Sequence, residues 1–186
     1  MSEHLGDLLN SKDFLKYLFN NMPTAVFIVD ENVRVQNINK SFTILFQKSD
    51  EEVYNELCGN AIGCVFPVKE NTDCGKTVNC NICKLRKNIV RCLKYKERDL
   101  KALITREFFI GEEFVIRHFY ITTNYLEFND VDYVLVMIQD LTELENQRKH
   151  LEELNHFKNE FLGIVAHDLR NPINVIKTAS HVLIFR

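Results

Sequence analysis

Three runs in the second half of the chain alternate apolar and polar residues with a period near two: LKALITREFFIG from Leu100, EEFVIRHFYITTNYLEF from Glu112 and VDYVLVMIQDL from Val131. Rich in Phe, Ile, Val, Thr and Tyr, they predict three antiparallel strands joined by turns at Gly111-Glu112-Glu113 and Asn129-Asp130. Earlier, TAVFIVDENVRVQNI holds two β-rich runs around the polar Asp30-Glu31-Asn32, which reads as a hairpin. Helical patterns separate the two groups: NKSFTILF, a turn or two in SDEEVYNELC, and residues 83 to 96, where Ile89, Val90 and Leu93 share a face. An amphipathic helix from Asp13 to Asn21 precedes the hairpin, and residues 1–12 form a polar lead-in. Strands, small helices, then strands again make an α+β fold.

The pattern changes at Thr142. Helix formers dominate from there, and no proline occurs before Pro172. Counting sevens from Leu144 places Leu144, Gln147, Leu151, Leu154, Lys158, Phe161 and Val165 at a and d positions, a seam expected to pair two copies as a parallel coiled coil. The alternative is an amphipathic helix folded back on its own domain.

Composition narrows the function. The 186 residues leave room for one domain and a helical extension. A net charge of -3 provides no basic field for nucleic-acid phosphates. With no signal-like N-terminus and no apolar run long enough for a membrane span, a cytoplasmic protein is expected. All six cysteines lie between Cys58 and Cys92, and in a cytosolic chain such a cluster reads first as a metal or redox site.

The order of elements resembles a PAS sensor domain. TAVFIVDENVRVQNINKSF is similar to its opening hairpin and the helix with an N-x-x-F element, here Asn39 and Phe42; VLVMIQDLTE is similar to its last strand with the D-x-T exit, here Asp140 and Thr142. The resemblance implies a five-stranded antiparallel sheet with flanking helices over residues 13–143, a cysteine-rich insertion at 58–92, and a signalling helix over 144–186. HFKNEFLGIVAHDLRNPINVIKTASHVL resembles the phosphoacceptor helix of sensor histidine kinases, whose H-box is matched by His167, Asp168, Leu169, Arg170, Asn171, Pro172 and Ile173. It implies a homodimeric two-component kinase in which PAS signalling controls autophosphorylation of His167 and transfer to a response regulator.

Helical spacing puts His167, Arg170, Asn171, Asn174, Thr178 and His181 on one polar stripe. A neutral imidazole keeps one lone pair free to attack the γ-phosphorus of ATP if its other nitrogen's proton is held. Asp168 is placed to hold it. Asn171 would orient water in the family's reverse, phosphatase-type reaction, and Pro172 is expected to kink the helix one turn after the histidine. No ATP-lid pattern follows, so ATP would be bound only by a full-length kinase, and this chain alone is expected to be inactive.

The cysteines are spaced C-x5-C-x9-C-x5-C-x2-C, with Cys92 nine residues further on. The segment resembles the cysteine-rich insertion of some PAS sensors, and the pattern maps onto Cys64, Cys74, Cys80 and Cys83 as ligands of an iron–sulfur cluster sensing oxygen or redox state. Zinc is the alternative cofactor, and Cys58 and Cys92 are alternate ligands, a redox pair, or ordinary packing residues. The loop cysteine of a covalent flavin photosensor is absent. His118, the only histidine between residues 5 and 149, sits in a strand pattern that suits packing better than haem ligation. A reading from another class is a non-enzymatic PAS dimerisation or ligand-binding module stapled by zinc.

Overall fold

The computed structural model describes the chain from Ser11 to Ile184, with side chains as far as Val165. It divides after Thr142 into two compact units. The first is α+β, with strands β1 (Ala25–Val29), β2 (Val35–Ile38), β3 (Leu100–Ile110), β4 (Glu113–Phe128) and β5 (Val131–Asp140) in one antiparallel sheet of order β2-β1-β5-β4-β3. The long hairpins expected at Gly111 and Asn129 hold full register, Leu100 facing Thr123 and Phe128 facing Val131. Left-handed backbone at Gly111-Glu112 and Asn129-Asp130 makes the two turns. The first hairpin carries a register shift between Ile28 and Val29.

Helices α1 (Lys12–Asn21), α2 (Lys40–Phe46), α3 (Asp50–Val53), α4 (Cys58–Ala61), α5 (Val65–Glu70) and α6 (Lys84–Tyr95) complete this unit, with a 3₁₀ turn at Val78–Ile82. Despite Gly59, Gly63, Pro67 and Gly75, the cysteine segment forms short helices. Breaks explain their brevity: positive-φ residues at Gly63 and Asn71 follow α4 and α5 within two turns, and Gly75 bends the chain ahead of the 3₁₀ turn. At Gly63 the requirement is double, since φ is +66° and an added Cβ would lie 2.1 Å from the carbonyl oxygen of Phe109.

The core lies between one sheet face and the helices. Phe27, Phe42, Phe46, Phe119 and Phe108 form a chain of rings with centroids 5.5, 4.7, 5.7 and 4.8 Å apart, each almost wholly buried. Asn39 fixes the entry to α2. Its Oδ1 accepts from the backbone N–H of Val26 and Phe42, and its Nδ2 donates to the carbonyls of Phe19 and Thr24. One buried amide thus ties α1, β1 and α2 together.

The second unit is a single helix, α7 (Thr142–Ile184), assigned without interruption through Pro172. Arg148 pairs along it with Glu145 and Glu152. Leu144, Leu151, Leu154 and Phe161 of the expected seam are exposed, as are Phe157, Leu162 and Ile164.

Candidate functional site

Five of the six cysteines line one small cavity beneath the sheet, and the backbone places each of them. Cys58 opens α4, its N–H given to the carbonyl of Val33. The N–H of Cys64 goes to Gly59, and an isolated antiparallel bridge pairs Cys64 with Phe108 of β3. The N–H of Cys74 is accepted by the Asn60 side chain at 3.0 Å, and Cys83 caps α6 with its N–H on the carbonyl of Cys80. Ile62, Ile104, Phe108 and Ile121 supply the apolar floor, and Arg86 and Arg106 enter the same wall. The cavity measures about 20 Å³, room for one water-sized molecule.

The sulfurs fall into three settings. The Arg106 guanidinium lies over the Phe66 ring and directs Nη1 at Cys64 Sγ (3.4 Å) and Cys83 Sγ (3.7 Å). Cys80 Sγ accepts from the backbone N–H of Gly75 at 3.0 Å and is 3.1 Å from the Thr77 hydroxyl. Cys74 Sγ faces the Cys58 thiol and the Gly59 N–H, with Arg86 Nη1 3.9 Å away. Cys92 stands apart from the cavity, its thiol 3.5 Å from Thr123 Oγ1.

These settings split the thiols electrostatically. The hydrogen bond from Cys58, with those from Gly59 and Arg86, brings Cys74 down to about 6 against the desolvation that opposes it. Cys58, as the donor, is pushed well up by that same bond and by complete burial. Burial also raises Cys64, with Phe66 N–H and Arg106 opposing, and raises Cys92.

The arrangement bears directly on the expected cofactor. Cys64, Cys74, Cys80 and Cys83 do line one wall, but a guanidinium contacts two of them and the others face separate donors. Among the described residues no group of three or more His, Cys, Asp or Glu side chains is arranged to hold a metal ion. The four thiols as placed do not converge as a ligand shell, so the iron–sulfur and zinc expectations find no support here. Of the two alternates, Cys58 joins the cavity and Cys92 does not. His118 Nδ1 is 2.9 Å from the Thr105 hydroxyl and lines no part of the cavity.

Two arginines were missed in the sequence, and one left a readable signal. Along β3 the even positions Ile104, Phe108 and Ile110 face the core, so Arg106 falls on a buried parity where a cation needs a partner. Arg86 left none, because α6 carries six basic and no acidic residues between positions 84 and 96 and nothing marks one of them as inward.

At the far end of the sheet, Thr142 Oγ1 accepts the His118 N–H at 3.0 Å, and Asp140 Oδ1 accepts both the Thr142 N–H and its hydroxyl. Leu141 N–H reaches the His118 carbonyl, and Arg117 pairs with Asp140 at 3.5 Å. The D-x-T exit is thus a rigid corner on β4. His167, Asp168 and Asn171 fall in α7, and their side chains lie outside the described residues.

The sequence profile of the PAS domain family matches residues 13–81, from α1 to the 3₁₀ turn. No curated protein matches the chain. Among solved structures, the chain is similar to the PAS domain of an HTR-like protein from Haloarcula marismortui, at 12% identity over 75% of this chain and 99% of that one, with a TM-score of 0.47. The PAS domain of a two-component sensor histidine kinase gives 14% identity over 69% and 94% of the two chains, with a TM-score of 0.46. An RNA-binding light-oxygen-voltage receptor gives 14% identity, covering 80% of this chain and 37% of that one, with a TM-score of 0.50. With the family match over residues 13–81 and the five-stranded antiparallel sheet that β3, β4 and β5 complete, residues 13 to 142 have the α+β fold of a PAS domain.

Proposed function

We propose that this chain is the sensory and phosphoacceptor portion of a two-component sensor histidine kinase, in which the PAS domain reads redox state at its cysteine cavity and controls phosphorylation of His167. The observation that carries the proposal is one of continuity: the D-x-T corner of the sheet leads without a break into a helix whose sequence holds a complete H-box, His167 to Ile173. In this reading Asp168 holds the imidazole proton while the other nitrogen attacks ATP bound by a kinase domain, and Asn171 positions water for the reverse reaction. The phosphoryl group then passes to an aspartate of a response regulator.

Two copies would pair through α7. The exposed Leu144, Leu151, Leu154 and Phe161 support this, because an apolar seam at heptad spacing is stable in water only when covered.

The test supplies the ATP-binding domain of a histidine kinase, fused after residue 186 or added in trans, with labelled ATP. Acid-labile, base-stable label that His167→Gln removes is expected. No label, or label that survives the substitution, would leave a non-enzymatic PAS module as the better account.

A further inference from the structure

We infer that Cys74 and Cys58 form a peroxide-reactive thiol pair, Cys74 the attacking sulfur and Cys58 the resolving one, closing to a disulfide within the PAS core. The inference deepens the proposed sensing role and depends on it only for its effect on His167.

Three independent features of the fold converge on this pair. Residue 59 is a glycine whose added Cβ would stand 2.5 Å from Cys74 Sγ and 2.8 Å from its Cβ. The chain beside Cys58 therefore admits the Cys74 side chain only because no side chain is there. Arg86 supplies the second feature. Its Nη1 is 3.9 Å from Cys74 Sγ, where a cation stabilises a thiolate and the hydroxide leaving a peroxide. The third is the cavity of about 20 Å³, which both sulfurs line and which admits one small molecule. Neighbouring cysteines lack this combination: Arg106 is shared between Cys64 and Cys83, Cys80 faces backbone N–H and hydroxyl, and Cys92 is outside the cavity.

The chemistry closes with a hydroperoxide as oxidant. Cys74 thiolate attacks the peroxide; an S–O bond forms as the O–O bond breaks, the sulfur loses two electrons, and the departing hydroxide takes a proton to become water. Cys58 sulfur then attacks the sulfenic acid. The S–S bond forms, the S–O bond breaks, and the hydroxyl leaves with the Cys58 proton as a second water. A dithiol reductant reverses the step by exchange.

The experiment uses the whole chain, reduced, desalted and assayed for zinc and iron, then treated with hydrogen peroxide near equimolar ratio. Tryptic mapping without reduction is expected to join peptide 49–69 through Cys58 to peptide 70–76 through Cys74. Fragmentation separates Cys58 from Cys64 in the first peptide, and Cys64→Ala is expected to leave the cross-link intact. In Cys58→Ala the sulfenic acid at Cys74 persists and is captured by dimedone; in Cys74→Ala neither product forms. Folding of each variant is checked by circular dichroism, and Cys58→Val and Cys74→Ser replace any that fails.

A cross-link confined to other cysteines, dimedone on Cys64 or Cys80 in place of Cys74, or stoichiometric metal that protects all the thiols would overturn the inference. A Cys58–Cys74 cross-link that leaves His167 labelling unchanged would uphold the thiol chemistry and overturn the coupling proposed above.

Discussion

Asn39, buried in the core, and Arg106, half-buried beside the cavity, are built to opposite ends. Asn39 is neutral, wholly buried and spends its amide on four backbone partners in three elements. Nothing there has a second state to adopt. Around Arg106 the partners are soft thiols at 3.4 and 3.7 Å, a cavity adjoins them, and in that cavity the Cys58 hydrogen bond lowers the Cys74 thiol. A satisfied amide fixes the fold; free ionisable sulfurs beside a cavity keep a chemistry of their own.

That contrast makes graded predictions. The largest effect belongs to the rigid half: Phe119→Ala removes the ring between Phe46 and Phe108 and is expected to cost about 4 kcal/mol in urea unfolding. Asn39→Ala leaves the buried Val26 and Phe42 N–H groups without their acceptor, so a loss of about 3 kcal/mol is expected from the same measurement. At the sheet corner, Thr142→Val deletes one acceptor for the His118 N–H and should cost about 1 kcal/mol.

The smallest change in stability is expected in the responsive half, where reactivity is the readout. Cys74→Ala removes one sulfur beside an existing cavity and should shift unfolding by less than about 1.5 kcal/mol. In the unsubstituted chain, iodoacetamide should modify Cys74 ahead of the other five cysteines. Because its pKa is lowered, the thiolate and hence the rate should already be present near neutrality, falling as pH drops through about 6. Equal rates at all six thiols, rising only above pH 8, would remove the distinction between the two halves.

The rigid half was largely legible in the sequence. Period-two alternation located β3, β4 and β5 to within a residue, since both long hairpins have one face in the core and a one-residue slip would invert it. Asn39 and Phe42 were recognisable through the resemblance to the N-x-x-F element, whose residues here cap α2 and enter the core. The cavity was legible only in part. Sequence spacing brought forward Cys64, Cys74, Cys80 and Cys83 as one group, but whether sulfurs converge on a point depends on the turns at Gly63, Asn71 and Gly75, which set direction rather than spacing. Cys58 was placed among the alternates because its contact with Cys74 is made in space, across α5, and no motif joins them. Arg86 was invisible among the other cations of α6.

The proposed coupling would run through the corner at Asp140-Thr142, where Thr142, the first residue of α7, is hydrogen-bonded to β4 and to Asp140. The measurement that tests it most directly is the rate of His167 phosphorylation, with an ATP-binding domain supplied, in the reduced and the peroxide-treated chain. A change of about fivefold or more is expected, within the range of measured site-to-site couplings, reversed by dithiothreitol and absent in Cys74→Ala. Identical rates in both states, with the Cys58–Cys74 bond formed and His167 labelled, would contradict the account.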